Sequence, residues 1–283
     1  MKFKNGVNCG SLTIILFFST CLWGEEIDSK RLIDAANEPE NWMTYSGTYN
    51  AWRYSPLDQI NRKNIDSLVP VWVFQTGIVD GGFSCTPLVA DGVMYITSPW
   101  NRVFALNAVT GKELWHYYYP VPKEFGLLYG PWNRGVALGH GLVYMGTIDN
   151  HLLALDAETG EAVWTNSDTD KVEKGNLDHG IQQLMGLSPQ GYLAVVDGRL
   201  VAPCGTQLPA VFDLKTGELG PYTMGWGGRT GLPKGTWFVA GSGQYLAHSG
   251  DLYDMRRPND EKFPESGDKA DFKNRLYPAG FTR

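Results

Sequence analysis

The chain has 283 residues, of which 34 are glycine and ten are tryptophan, while only 19% are charged. A disordered chain would be rich in charge and poor in aromatic residues, so this composition excludes that class. It also disfavours a helical bundle and favours short strands joined by tight turns. The 30 acidic residues outnumber the 24 basic ones and give a net charge of −6. A nucleic-acid partner, which needs a basic face, is therefore not expected.

Residues 1–24 have the pattern of a secretory signal peptide. Lys2 and Lys4 precede an apolar stretch from Leu12 to Leu22, and Gly24 supplies a small residue for cleavage. The apolar stretch is shorter than the roughly 20 residues of a membrane-spanning helix. We therefore predict an exported protein, periplasmic or extracellular, without a transmembrane span. A lipoprotein anchor through Cys21 is a second interpretation.

Only two cysteines, Cys85 and Cys204, follow this leader. An oxidising compartment would permit a disulfide between them. Each could equally be a small buried side chain. The sequence leaves both possibilities open.

An internal repeat organises the rest of the chain. Residues 103–115 read VFALNAVTGKELW, residues 152–164 read LLALDAETGEAVW, and residues 210–219 read AVFDLKTGEL without a closing tryptophan. The Thr-Gly pairs are 49 and 57 residues apart. A hairpin pattern precedes each copy, and a weaker fourth hairpin is predicted at residues 237–246, with no downstream copy.

Each repeat can be understood as strands and turns. Asp91-Gly92 and Asp197-Gly198 lie between short apolar runs, as in tight hairpins. Asn107 and Asp156 can cap the Thr-Gly turn that follows them. Four short strands in a period of roughly 40–50 residues are typical of a propeller blade. We expect the tryptophans to pack between blades, because one such sheet cannot bury both faces alone.

Residues 41–77, with the core RYSPLDQIN at 53–61, resemble the opening segment of the pyrroloquinoline quinone-dependent alcohol and glucose dehydrogenases. The Asn-Arg-Gly at 133–135 and the Ala-Leu-Asp-Ala-x-Thr-Gly-x-x-x-Trp copies are also similar to that family. The resemblance implies an all-β, quinoprotein-type β-propeller with about four blades present. The family closes an eight-bladed ring, which would need roughly 400 residues. We therefore expect the N-terminal half of such a ring.

The resemblance also implies candidate site residues. Arg134 stands where the family's arginine contacts the quinone, with Asn133 beside it, and a guanidinium suits carboxylates and quinone oxygens. Cys204, Gly205, Thr206 and Gln207 are the counterpart of a Ser-Gly-Ala-Glu element whose glutamate ligates Ca²⁺. Gln207 is thus the candidate metal ligand. The implied cofactors are pyrroloquinoline quinone and Ca²⁺, and the implied substrate is a small alcohol or sugar.

Three positions depart from the family pattern. Ser84-Cys85 replaces a glutamate, Leu128-Tyr129 replaces a vicinal cysteine pair, and Gln207 replaces the Ca²⁺-binding glutamate. No residue can be assigned as the catalytic base. Three functional hypotheses follow: an exported quinoprotein dehydrogenase or part of one, a non-catalytic propeller used as a binding platform, and a truncated product that another chain completes. The predicted organisation is a leader at 1–24, a partial propeller at 25–250 and a charged excursion or tail at 251–283.

Overall fold

The computed structural model describes residues 26–78, 81–121, 130–166, 189, 191–204, 207–220, 239–242, 245–248 and 251–254. The predicted leader, Leu128-Tyr129, Gly205, Thr206 and the tail after residue 254 lie outside these ranges. The described chain begins with one short helix, α1 (Ser29–Ile33), and has 3₁₀ turns at Ala35–Asn37 and Ile65–Ser67. In the described ranges no helix is long and apolar enough to cross a membrane.

The strands form four separate antiparallel sheets, each built in chain order. The first contains β1 (Leu88–Ala90), β2 (Val93–Ser98), β3 (Arg102–Asn107) and β4 (Glu113–Tyr118). The second contains β5 (Val136–Gly139), β6 (Leu142–Gly146), β7 (Leu152–Asp156) and β8 (Ala162–Asn166). The third contains β9 (Ala194–Val196), β10 (Arg199–Cys204) and β11 (Gln207–Asp213). The fourth contains β12 (Ala240–Ser242), β13 (Tyr245–His248) and β14 (Asp251–Asp254).

This architecture confirms the predicted all-β, partial-propeller fold. The fourth sheet also contains a strand that the repeat pattern missed, because β14 pairs with β13 from Tyr245↔Asp254 to His248↔Asp251. Its four residues open the segment that was predicted as an excursion or tail.

In each of the first three sheets, the first two strands are joined by a tight turn. Asp91 and Gly92 have φ of 51° and 79°, His140 and Gly141 have 51° and 72°, and Asp197 and Gly198 have 46° and 71°. Two consecutive positive φ values in a two-residue hairpin match the right-handed twist of the strands. The Asp-Gly pairs therefore predicted the first and third of these hairpins correctly, whereas the second turn is formed by His140-Gly141.

The Thr-Gly turns are capped by the residue that ends the third strand. The Asn107 Oδ1 atom accepts hydrogen bonds from the backbone N–H groups of Val109 (3.1 Å) and Thr110 (2.9 Å). Asp156 and Asp213 do the same in the second and third sheets. The capping role predicted for Asn107 and Asp156 is confirmed, and Asp213 has the same role in the third copy.

Tryptophans join neighbouring sheets through these turns. Trp115 packs on Gly160 and donates from Nε1 to the Ala157 carbonyl (2.9 Å), while Trp164 packs on Gly217 and donates to the Leu214 carbonyl (3.0 Å). The predicted inter-blade packing is therefore confirmed. Trp72 makes a third contact of this kind, since it packs on Gly111 and donates to the Ala108 carbonyl (3.2 Å).

The innermost strands meet where glycine permits a close approach. A Cβ on Gly139 of β5 would lie 2.8 Å from the Val195 Cγ1 atom of β9. Gly241 of β12 faces Val196 of β9 in a similar way. The sheets therefore follow one another in chain order, with the apolar core between them.

Residues 26–38, which we call the strap, cross the tight turns of three sheets. Arg31 binds Asp91 in the first, the Ile27 carbonyl accepts from the His140 N–H in the second, and Ser29 Oγ accepts from the Asp197 N–H in the third. Arg31 also pairs with Glu38 at 2.7 Å. These contacts tie the beginning of the described chain to one face of the propeller.

Candidate functional site

Antiparallel sheets of this kind present their turns on two opposite faces. The strap covers the lower face, which also carries the capped Thr-Gly turns. The upper face carries the β2–β3 and β6–β7 turns and the loops that lead into β5 and β9. Asn133 and Arg134 lie on the loop before β5, which places these two candidates on the upper face.

Asn133 is buried and engaged by the protein itself. Its Nδ2 atom donates to the Asn101 Oδ1 atom (3.3 Å) and the Gly146 carbonyl (2.8 Å), and its Oδ1 atom accepts from the Gly135 N–H (3.0 Å). Gly135 has a φ of 111°, a conformation that favours glycine. These contacts fix the loop that carries Arg134, and direct contact of Asn133 with a cofactor stays a prediction.

Arg134 is exposed and lies beside an aromatic pair that sequence reasoning did not find. Tyr45 and Tyr192 stack with ring centroids 3.3 Å apart and an interplanar angle of 18°. The Arg134 guanidinium acts on the Tyr192 phenol by hydrogen bonding and by its charge. On the other side, Arg53 donates to the Tyr45 hydroxyl (2.7 Å) and lies 4.9 Å from the ring centroid. Two guanidinium groups thus flank one aromatic stack, which we call the arginine–tyrosine cluster.

The electrostatics of this cluster are those of a partly dehydrated site. Burial is the main reason why the pKa of Tyr192 rises to about 12, and the hydrogen bond with Tyr45 raises it further. The positive charge of Arg134 acts in the opposite direction. The Tyr192 phenol therefore stays protonated at neutral pH and can donate a hydrogen bond, while the two guanidinium groups supply positive charge.

A second polar group lies on the same face, in the β6–β7 turn. Asp149 is buried, and its Oδ2 atom lies 3.3 Å from both the Tyr119 hydroxyl and the His151 Nδ1 atom. Burial alone would raise the pKa of the Asp149 carboxyl, but hydrogen bonds from His151 and Thr147 more than offset this and hold the pKa below its ordinary value. The carboxylate is therefore ionised, with Tyr119 and His151 as its partners.

Some buried polar atoms of this region have no hydrogen-bond partner among the described residues. The Asn101 Nδ2 atom and the Asp149 Oδ1 atom are examples. A buried donor or acceptor without a partner costs about 1–3 kcal/mol. Both atoms belong to turns of the upper face, so that face offers polar groups that a bound polar molecule could satisfy.

The remaining predicted residues are placed as follows. Cys204 is fully buried, and its thiol donates to the Ala202 carbonyl at 3.3 Å. Gly205 and Thr206 lie outside the described residues, and for Gln207 only its backbone, at the start of β11, is described. Their predicted roles toward a cofactor or Ca²⁺ stay predictions. In the described ranges no group of three or more His, Cys, Asp or Glu side chains could hold a metal ion.

Cys85 and Cys204, the two cysteines that follow the predicted leader, are not joined by a disulfide. The Cys85 thiol donates to the Thr97 carbonyl at 3.1 Å. The sequence left open a disulfide or two separate side chains. The structure shows two separate side chains, each of which donates to a backbone carbonyl.

The donor set of the upper face fits the anionic part of a tricarboxylated quinone. Guanidinium groups form short, charge-assisted hydrogen bonds with carboxylates, and Arg134 and Arg53 lie next to a flat aromatic stack. The described residues offer no comparable set of anionic oxygen ligands for Ca²⁺, which takes about 6–8 oxygens.

Comparisons with known proteins agree with the propeller fold. The family model described as "Glucose/ethanol/alcohol dehydrogenase, beta-propeller domain" matches residues 42–219. An "Alcohol dehydrogenase (quinone), dehydrogenase subunit" of Komagataeibacter europaeus is 45% identical over 144 residues, which are 50% of this chain and 19% of that protein. The chain spans only about a fifth to a quarter of the length of such curated relatives.

Solved structures show the same partial match. The quinohemoprotein alcohol dehydrogenase ADHIIG of Pseudomonas putida HK5 superposes with a TM-score of 0.60 at 34% identity, covering 69% of this chain and 28% of that one. A europium-containing methanol dehydrogenase superposes with a TM-score of 0.54 at 26% identity, covering 67% of this chain and 33% of that one.

Proposed function

Because the chain belongs to the family of quinoprotein glucose, ethanol and alcohol dehydrogenase propellers, we propose that its upper face binds pyrroloquinoline quinone for the oxidation of an alcohol or a sugar. The observation that carries the proposal is the arginine–tyrosine cluster, which places the exposed Arg134 beside a flat aromatic pair. The cluster lies on the face where loops of several sheets converge. We further propose that the protein is exported, as its leader predicts.

In this proposal the residues have distinct roles. Arg134 and Arg53 bind the carboxylates and quinone oxygens, and Asn133 holds the loop that carries Arg134. When it is bound, the quinone accepts the electrons of the substrate. Gln207, the predicted Ca²⁺ ligand, carries a neutral amide, which is a weaker ligand than a carboxylate. We therefore assign no Ca²⁺ site to the described residues. No residue of the described chain is assigned as the catalytic base, so we propose that this chain contributes one part of the catalytic propeller.

A second candidate function is a non-catalytic binding platform. It is favoured by the Ser84-Cys85 and Gln207 substitutions at positions where the family has acidic residues. The Cys85 thiol already bonds to the Thr97 carbonyl within the protein. A propeller that retains its blades and loses its ligands would still offer a broad surface to a partner.

Quinone binding separates the two candidates. We would titrate the purified chain with pyrroloquinoline quinone, with and without Ca²⁺, and follow binding calorimetrically. Arg134→Ala should weaken binding by about tenfold or more, because a charge-assisted hydrogen bond contributes about 1.5–3 kcal/mol. Arg199→Ala is the matched control, since Arg199 is a partly exposed arginine at the lower face, 3.9 Å from Asp197. It should bind as the unmodified chain does.

The outcomes are distinct. Binding that Arg134→Ala weakens, with turnover of alcohols or glucose and an artificial acceptor, supports a dehydrogenase. The same binding without turnover supports a partial site that needs further polypeptide. Absence of quinone binding, or equal loss in Arg134→Ala and Arg199→Ala, contradicts the proposal and favours the platform.

A further inference from the structure

The loop that carries Arg134 rests on the turn between β2 and β3. The Trp100 N–H donates to the Pro131 carbonyl (2.9 Å) in that loop, and the Asn101 Oδ1 atom accepts from the Asn133 Nδ2 atom (3.3 Å). Asn133 directly precedes Arg134 in the chain. The turn therefore holds the loop at two points just before the arginine.

Asn101 connects this turn to two further segments. Its Oδ1 atom also accepts from the Ile148 N–H in the β6–β7 turn (3.2 Å), and its carbonyl accepts from the Tyr119 N–H (3.1 Å) just after β4. The Asn101 side chain is fully buried. This one residue thus joins the loop of Arg134 to the upper face of both the first and the second sheet.

The backbone at Asn101 has a conformation that favours glycine. Asn101 has a φ of 53°, and Trp100 before it has a φ of 67°. In the tight turns of the lower face, the second of two consecutive residues with positive φ is glycine, as at Gly92 and Gly141. Asparagine tolerates the left-handed region better than most residues, but glycine adopts it without a steric cost.

The amide group of Asn101 also leaves its donor unused. The Nδ2 atom has no hydrogen-bond partner among the described residues, and burial of such a donor is unfavourable. Glycine at this position would avoid both the strain and the unused donor. It could not replace the two hydrogen bonds that the Oδ1 atom accepts from Asn133 and Ile148. Backbone strain of this kind is typical of functional sites, and here the strained residue contacts the loop of Arg134.

We propose that Asn101 is a positioning residue for Arg134. This role rests on the proposed function, in which Arg134 binds the carboxylates of the quinone. Asn101 fixes Asn133, and Asn133 fixes Gly135 through its own Oδ1 atom (3.0 Å), so the residues on both sides of the exposed arginine are held. A fixed backbone reduces the freedom that a long side chain loses when it binds an anion, and it therefore strengthens binding.

The first measurement needs no quinone. Asn101→Gly removes the side chain and suits the φ of 53°, and amide hydrogen exchange of the full chain is followed by mass spectrometry. Peptides that cover residues 131–139 should exchange about tenfold faster than in the unmodified chain, because each net hydrogen bond changes a local opening equilibrium by about three- to tenfold. Asp197→Gly is the matched control, since Asp197 also has a positive φ (46°) but lies in a turn of the lower face. It should leave the exchange of 131–139 unchanged.

The second measurement tests whether Asn101 acts through Arg134. Pyrroloquinoline quinone is titrated calorimetrically into the unmodified chain, Asn101→Gly, Arg134→Ala and the double variant. Asn101→Gly should weaken binding by about three- to tenfold, the effect of one lost hydrogen bond. In the Arg134→Ala background the same change should weaken binding by less than about twofold, because the effects of two residues in one network are not additive. A merely structural role would give the same loss in both backgrounds.

Two results would each overturn the proposal. One is exchange of 131–139 that is unchanged in Asn101→Gly or equally fast in Asp197→Gly, and the other is an equal loss of quinone binding with and without the Arg134 side chain. Should Asn101→Gly fail to fold, Asn101→Ala, which fills part of the vacated space, replaces it in both measurements. If the unmodified chain binds no quinone, the proposed function fails, and the exchange of 131–139 alone decides whether Asn101 holds the loop.

Discussion

Replacement of Gly160 by alanine tests how the tryptophans hold the sheets together. Gly160 has a φ of 73°, and a Cβ added there would lie 2.6 Å from the Cδ2 atom of Trp115. Gly141→Ala is the matched control, because Gly141 belongs to the same sheet, has a φ of 72° and would place its Cβ where nothing lies within 4 Å. The two variants therefore share the backbone strain and differ in the contact with tryptophan.

The expected magnitudes follow from that difference. A non-glycine residue in the left-handed region costs about 1–2 kcal/mol, so Gly141→Ala should lower the free energy of unfolding by about that amount. Gly160→Ala should cost the same and, in addition, about 1–3 kcal/mol for displacing a packed side chain. Trp115 is only 8% exposed and donates to the Ala157 carbonyl at 2.9 Å, so its movement would also weaken a hydrogen bond.

Urea unfolding followed by tryptophan fluorescence measures both variants. We expect a lower midpoint for Gly160→Ala than for Gly141→Ala at an unchanged slope, which reports stability rather than compactness. The double variant Gly160→Ala/Trp115→Leu should lose less free energy of unfolding than the two single variants lose together, because the leucine leaves room for the new methyl group. Equal midpoints for the two glycine variants, or additive costs in the double variant, would refute the packing argument.

Three further predictions concern the strap, the third Thr-Gly turn and the contact between Tyr49 and the third sheet. Arg31→Met should lower the free energy of unfolding by about 2 kcal/mol, since it leaves Glu38 and Asp91 without their partner. Arg31 holds the pKa of the Glu38 carboxyl below its ordinary value of 4.5. The free energy that this ion pair adds to the folded state is therefore present above pH 4.5 and is lost as the pH falls through the lowered pKa. The difference in free energy of unfolding between Arg31→Met and the unmodified protein should shrink in acid titrations. Asp213→Ala should lower the free energy of unfolding by about 1 kcal/mol in urea, and Asp213→Asn should lower it much less. The reason is that the amide oxygen of Asn107 accepts the equivalent backbone hydrogen bond in the first sheet. Tyr49→Phe removes the hydrogen bond to the Val195 carbonyl (2.9 Å) and should cost about 1–2 kcal/mol by the same assay, and an unchanged midpoint would contradict it.

Local patterns in the sequence predicted the local structure well. Asp91-Gly92 and Asp197-Gly198 form the tight hairpins, and the Asn or Asp before each Thr-Gly pair caps its turn. These features depend on a few adjacent residues, whose conformational limits are known in advance. The third strand of the fourth sheet was missed because residues 251–254 carry neither the Thr-Gly turn nor a closing tryptophan.

The candidate site was predicted only in part, for a physical reason. Arg134 and Asn133 carry a recognisable motif, but Tyr45 and Tyr192 are 147 positions apart and meet only in the folded chain. Nothing in the sequence near either tyrosine indicates the stack. The docking of Trp72 had a signal that was overlooked, because it precedes Trp115 by 43 residues, close to the 49 residues between Trp115 and Trp164.

The contacts of the strap require that parts of the chain fold in a particular order. Ser29 accepts a hydrogen bond from the backbone of Asp197, 168 positions later, and its neighbours contact turns of the first and second sheets. Contacts so distant along the chain form late, since a long loop must close before they can stabilise anything. The strap can therefore settle only when the tight turns of three sheets are in place. The strap, which precedes the three sheets in the chain, thus finds its position after them, and a dye attached near residue 29 would report the moment when the third sheet is complete.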